Sequence, residues 1–187
     1  AFASVSVLSP IAANQAQAQG IGLPGQNRKI PIEIHADNGI EWQQNSQAYV
    51  ARGNARAVQG NVTLHADTLI AYYKQSKQGG TQIWRMDAIG NVRIKSPQQT
   101  AYGANAVYGV ENGVLILTGK PLMVTPTDRI TARERIEYWE KKSIAVARGN
   151  AIATRGDKKL RADILTAHFF KENNGKTSLG RIDAINN

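Results

Sequence analysis

At 187 residues the chain is long enough to bury a core without covalent staples, and with no cysteine it excludes disulfides, zinc-thiolate sites and thiol nucleophiles. Hydrophobic residues at 42% and charged residues at 20% exclude wholesale disorder. A formal charge of +9 suits an anionic partner, whether nucleic acid, an anionic membrane surface or a phosphorylated lipid, without choosing among them.

The chain opens with AFASVSVLSPIAANQAQAQ, which carries no charge, is rich in Ala, Ser and Val, and ends in small-x-small alternation around Ala16 and Ala18. Residues 1–18 therefore read as the remnant of an export signal peptide cleaved near Ala18, although a basic n-region is missing. Residues 19–29, with Gly20, Gly22, Pro24 and Gly25, read as a flexible linker. One folded domain is expected over 30–187. No run of eighteen or more apolar residues occurs, so no membrane-spanning helix is expected.

From Ile30 the spacing becomes period two, in IPIEIHAD, GNVTLHAD, IGNVRIK and NGVLILTGKPLMV, punctuated by Gly-Asn and Asn-Gly. That is strand spacing with turns. VARGNA occurs at Val50–Ala55 and again at Val146–Ala151, a shift of 96 residues. ADTLIAYY from Ala66 matches ADILTAHF from Ala162, and RMDAIGN from Arg85 matches RIDAINN from Arg181, at that same shift. Within this long repeat a small residue opens each shorter unit, at Ala36, Ala66, Gly103, Ala132 and Ala162. The one longer interval contains KQSKQGGTQ, which reads as an inserted hairpin loop at Gly79-Gly80. Each unit closes on Gly followed by Asn or Lys, at Gly53, Gly90, Gly119 and Gly149, and holds about two strands. A lone hairpin cannot bury its apolar face, so the units must stack into an all-β, solenoid-like or jelly-roll body of about 10–16 antiparallel strands.

At IPIEIHADNGIEW and the recurrent VARGNA and GNVTLHADTL elements, the chain resembles the LptA/OstA-like family of lipopolysaccharide-transport proteins over Ile30 to Asn187. The family pattern of alternating apolar residues, then a small residue and Asp, is met by Ile32, Ile34, Ala36 and Asp37. The resemblance implies an open-ended β-jelly roll in the periplasm that shields lipid A acyl chains and passes them from inner to outer membrane. It also implies lipopolysaccharide as cargo, inner- and outer-membrane partners joined by β-augmentation, head-to-tail self-association, and no enzymatic activity. The same module occurs in the membrane-anchored partners of the pathway, so another component's domain is an alternative.

Alternation places Ile32, Ile34, Ile40, Trp42, Leu64, Ile70, Tyr72, Val92, Ile94, Leu115, Leu117, Ile136 and Tyr138 on one face, the expected lipid-binding interior. The competing expectation is that these residues pack on one another in a closed core, giving a structural adaptor. Arg52, Arg56, Arg93, Lys95 and Arg148 are candidates for lipid phosphate, with Arg155, Lys158 and Lys159 beside them, set against an ordinary solvated face. Ile32, Ile34 and Ala36 at one end, and Arg181, Ile182 and Ile185 at the other, are candidate docking edges. His35, His65 and His168 fall in different units and argue against a shared metal. Asp37, Asp67 and Asp163 lack the dense spacing of calcium loops and read as turn formers. No catalytic or phosphate-cradling motif occurs and no cofactor is expected. Trp42, Trp84 and Trp139 do not interleave with a basic cluster, which argues against nucleic acid.

Overall fold

A computed structural model describes residues 32–76, 79–171 and 177–186. The expected signal remnant, 1–18, and linker, 19–29, lie outside the described residues. The described residues form one antiparallel sheet of thirteen strands. They are β1 (Glu33–His35), β2 (Ile40–Gln43), β3 (Ala48–Gln59), β4 (Val62–Gln75), β5 (Thr81–Lys95), β6 (Thr100–Gly109), β7 (Val114–Thr118), β8 (Leu122–Val124), β9 (Asp128–Thr131), β10 (Arg135–Trp139), β11 (Ile144–Arg155), β12 (Lys158–Lys171) and β13 (Thr177–Ile185).

The sheet is folded on itself because its long strands bend at shared positions. Gly53-Asn54, Gly90-Asn91 and Gly149-Asn150 are not turns between strands, as the sequence suggests. They lie inside β3, β5 and β11, and both residues of each pair have positive φ. Register shifts coincide with them, between Arg52 and Ala55, between Ile89 and Val92, and between Arg148 and Ala151. Gly119-Lys120 adopts the same conformation where β7 leaves for β8. Such bulges sharpen the local bend and hand the chain from one layer to the other.

The recurrent small residue and its neighbour complete the corner. The backbone N–H groups of Asp37, Ala104 and Arg133, each directly after a small residue, donate to the carbonyls of Gly53, Gly119 and Gly149 at 2.8, 3.3 and 2.7 Å. A Cβ on Gly103 would sit 2.8 Å from the Thr118 carbonyl oxygen and 2.9 Å from Leu117 Cγ, so the inside of this corner has no room even for a methyl group, which is why the residue is glycine here. Asp37 and Asp67 accept hydrogen bonds from the Asn54 and Asn91 side-chain amides at 2.7 and 2.9 Å. They clamp the bulges; Asp37 also sits in the expected turn, closed by the Gly39 N–H on the Ala36 carbonyl at 3.3 Å, whereas Asp67 and Asp163 lie within β4 and β12.

Two ladders of facing residues run unbroken across the first layer, through β2, β3, β4, β5, β6, β7, β10, β11, β12 and β13. One includes Trp42, Tyr49, Ala71, Met86, Tyr108, Leu115, Tyr138 and Ala145, and the next includes Ala51, Leu69, Ala88, Leu117, Ile136 and Leu165. The second layer, beyond the bend, contributes Ala57, Leu64, Ile94, Ala101, Met123 and Ile130 in one row. Members of both layers meet in a single hydrophobic cluster.

Candidate functional site: the apolar interior and its C-terminal mouth

Ten of the thirteen expected interior residues lie on inward rows, Ile32 precedes β1 and packs partly against the core, and two lie outside. Ile70 and Tyr72 face outward, opposite Val50 and Ala48 on β3. The cause is the corner: Ala66 and Leu69 both point inward with Asp67 and Thr68 spanning the bend, so strict alternation from Leu64 assigns the wrong face beyond it. Leu69, Ala71 and Tyr73 take the inward places.

The inward residues divide by depth. Leu64, Val92, Ile94, Leu115, Leu117, Ile136 and Tyr138 are buried and pack on one another. At this waist the space bounded by Leu64, Met86, Ile94, Tyr108 and Leu115 is about 10 Å³, room for one water at most. Ile32 and Ile34 are partly buried against the core, whereas Ile40 and Trp42 lie at the N-terminal edge and stay exposed, Trp42 at 56%. Trp42 stacks on Tyr49 and donates its indole N–H to the Tyr73 hydroxyl at 2.8 Å.

At the opposite end the interior opens. A hollow of about 280 Å³ is lined by Met123, Ile130, Leu160, Phe169, Leu179 and Ile182, with Arg155, Lys158 and Lys159 also along its wall. Four of its apolar residues are repeat copies of inward residues of the first half: at the 96-residue shift Leu64 becomes Leu160, Tyr73 becomes Phe169, Ile83 becomes Leu179 and Met86 becomes Ile182. Around the waist that surface is covered by Ile94, Ala106, Tyr108 and Leu115; at the mouth no described strand covers it. Sequence reading named none of Leu160, Phe169 and Leu179, although the repeat carried the signal.

The expected phosphate ligands do not gather. Arg52 and Arg148 are engaged, with Glu41 at 2.7 Å and Glu137 at 2.8 Å. Arg56, Arg93 and Lys95 lie on the outer face of the second layer, where Arg56 and Arg93 flank His65. Burial and these two guanidiniums hold the His65 imidazole below its usual range. Of the basic residues singled out in the sequence, Arg155, Lys158 and Lys159 line the apolar mouth, and of these Arg155 is bound to Asp128 at 2.5 and 2.8 Å. Among the described residues no cluster of His, Asp and Glu is placed to hold a metal ion.

The candidate docking residues sit on sheet edges. Among the described residues β1, which contains Ile34, pairs only with β3, and β13, which contains Arg181, Ile182 and Ile185, pairs only with β12. Ile182 points inward and Ile185 outward. Among the described residues the β2 edge, with Ile40 and Trp42, is a further unpaired flank at the N-terminal end.

One buried carboxylate on the outer face ties β10 to β11 through three donors. Glu137 on β10 accepts from Arg135 Nε at 2.6 Å, Arg148 Nε at 2.8 Å and the Trp139 indole at 2.9 Å. Burial raises its pKa, but these donors outweigh burial and hold it below the usual carboxylate range. A depressed folded-state pKa adds stability above the unfolded value and loses it as pH falls through the folded one. The stability margin of wild type over Glu137→Gln is therefore expected to be full above about pH 4.3 and to vanish in more acidic solution, as read from urea midpoints across pH.

Comparison with known proteins bears on this geometry. The model of a family described as LptA/(LptD N-terminal domain) LPS transport protein matches residues 33–138. A protein of Rhizobium meliloti (strain 1021), described as uncharacterized, is 26% identical over 117 residues, 60% of this chain and 61% of its own length. The chain thus spans less than two thirds of that relative. The crystal structure of LptH from Pseudomonas aeruginosa, described as the LptA homologous periplasmic component of the lipopolysaccharide transport device, matches with a TM-score of 0.56 and 22% identity. That match covers 67% of this chain and 87% of LptH.

Proposed function

The chain belongs to the LptA/(LptD N-terminal domain) family of LPS transport proteins, and we propose that it is a non-enzymatic periplasmic module that holds lipopolysaccharide on its way to the outer membrane. The observation that carries this reading is the C-terminal mouth, an apolar hollow of about 280 Å³ walled in part by Lys158 and Lys159. Acyl burial there contributes roughly 0.8 kcal/mol per methylene, and ammonium groups beside it answer the phosphates of the lipid head. The packed waist favours lipid at the mouth over lipid threaded through the whole roll.

Edge strands at both ends support a bridging role, since β1, β2 and β13 each present backbone groups to a strand from a neighbouring module. The partners would be other components of the transport pathway or further copies of this chain. An export signal at 1–18 and a linker at 19–29, leading into a domain from residue 30, complete the proposal.

The test is lipopolysaccharide retention by purified protein, wild type against Leu160→Glu. Leu160 is 38% exposed, so the charge is tolerated by the fold but not by an acyl chain. Wild type is expected to retain lipid and Leu160→Glu to lose it with an unchanged thermal midpoint. Absence of lipid on wild type, or equal retention by the variant, overturns the reading and favours an adaptor with a closed interior.

A further inference from the structure

The most voluminous hollow described above is 280 Å³, yet the outer face of the first layer carries one of about 460 Å³. Its floor is Val107 on β6 and Val114 and Ile116 on β7, and one wall is the Trp139 indole on β10. The hollow exists because Gly109 occupies the ladder position between Arg85 and Val114 and contributes no side chain. A Cβ built there meets nothing within 4 Å. Asn112, Lys141 and Lys142 line its edge at the strand ends. Lys142 Nζ lies 4.7 Å from the Trp139 ring centroid, and Lys141 Nζ donates to the Glu111 carbonyl at 2.6 Å.

We propose that this outer hollow binds a phosphorylated sugar, its ring on the Val107, Val114 and Ile116 floor beside Trp139 and its phosphate on Lys142 and Lys141. A flat aliphatic floor suits the C–H face of a sugar ring, and a tryptophan wall limits where the ring can lie. Two ammonium groups at one end call for negative charge, which a plain acyl chain does not supply. A volume of 460 Å³ is that of a small-molecule site.

The place of the hollow gives the sugar a source, and this step rests on the lipid reading above. Trp139 on β10 is two strand spacings, about 10 Å, from Phe169 on β12, which lines the acyl-sized mouth on the other side of the sheet. A lipid whose chains lie in the mouth can lay its sugar head around the turn at Glu140–Lys142 onto the outer face. One glycolipid molecule is then gripped on both faces of one sheet.

The experiment is isothermal calorimetry of the full chain with the deacylated, phosphorylated core oligosaccharide prepared from lipopolysaccharide, which has no acyl chain to enter the mouth. Wild type is expected to bind it. Gly109→Val, whose side chain enters empty space on an extended strand, is expected to abolish binding while keeping the thermal midpoint. Lys142→Glu is expected to weaken it about tenfold or more, the worth of one charge-assisted contact. Enzymatic removal of the phosphates should weaken binding comparably. No binding by wild type, undiminished binding by Gly109→Val, or equal binding of inorganic phosphate alone overturns the proposal. The two readings fail separately. If lipid retention depends on Leu160 while the oligosaccharide does not bind, only the sugar site falls. If the oligosaccharide binds through Gly109 while no acylated lipid is retained, only the acyl mouth falls.

Discussion

Gly90→Val is expected to cost about 3 kcal/mol or more, a large fraction of the stability of an ordinary domain. Three effects add at this position. Gly90 has φ of +79°, where a β-branched residue is strained by about 1–2 kcal/mol. A Cβ there would lie inside contact distance of Asp67 Oδ2 and 2.8 Å from Asp67 Cγ, so the carboxylate must leave. Its departure removes the Asn91 hydrogen bonds at 2.9 and 3.2 Å that clamp the bulge, worth about 1 kcal/mol. Urea unfolding of Gly90→Val against Gly156→Val separates site from residue type. Gly156 also has positive φ, but a Cβ there meets nothing within 4 Å, so its cost should be strain alone. Equal losses at the two positions would mean that the Asp67 clamp contributes nothing.

The corner also explains which parts of the fold were legible in sequence. Period-two runs, the 96-residue repeat and the recurrent small residue each follow from local constraints, namely strand pleat, repeated stacking and a crowded bend, and each is read directly from residue types. The role of Gly-Asn was not legible, because the pair that closes a hairpin in one context makes a bulge in another. Only the pairing partner distinguishes them: Asp67 in mid-strand opposite Gly90, not a second strand starting after Asn91. Misplacing that bend carries the alternation past it on the wrong face, which is why Ile70 and Tyr72 were expected inside and lie outside. The same reading succeeded at Leu64, Ile94 and Leu117, which lie within one layer and never cross a bend.

The mouth and the outer hollow were illegible for different reasons. Leu160, Phe169 and Leu179 stand at repeat positions of the inward residues Leu64, Tyr73 and Ile83, and what makes them a cavity is that no described strand covers them, a property of topology and not of residue type. Val107, Val114 and Ile116 look like any outward residues of a two-faced sheet; only the missing side chain of Gly109 in three dimensions turns them into a floor. Arg52 and Arg148, prominent in the repeated VARGNA, proved to serve Glu41 and Glu137 and so hold strands together.

Leu117→Ala is expected to separate core from cargo site. Leu117 is 1% exposed and packs against the bend at Gly103, with Ala106 and Ile136 beside it in the ladder. Truncation there removes buried methyl groups and leaves a cavity that a sheet fixed by hydrogen-bond ladders closes poorly, a loss of about 2–5 kcal/mol. If the waist is a packed core, this loss appears in the urea midpoint while the folded variant retains lipopolysaccharide as wild type does. Leu160→Glu should show the reverse, with stability kept and lipid lost. The contrast is required by the geometry, because the same inward face is sealed to about 10 Å³ at the waist and opens to about 280 Å³ at the mouth. Loss of lipid from folded Leu117→Ala would place acyl chains among the waist residues, and the roll would then have to part between Leu64 and Leu115 to admit them.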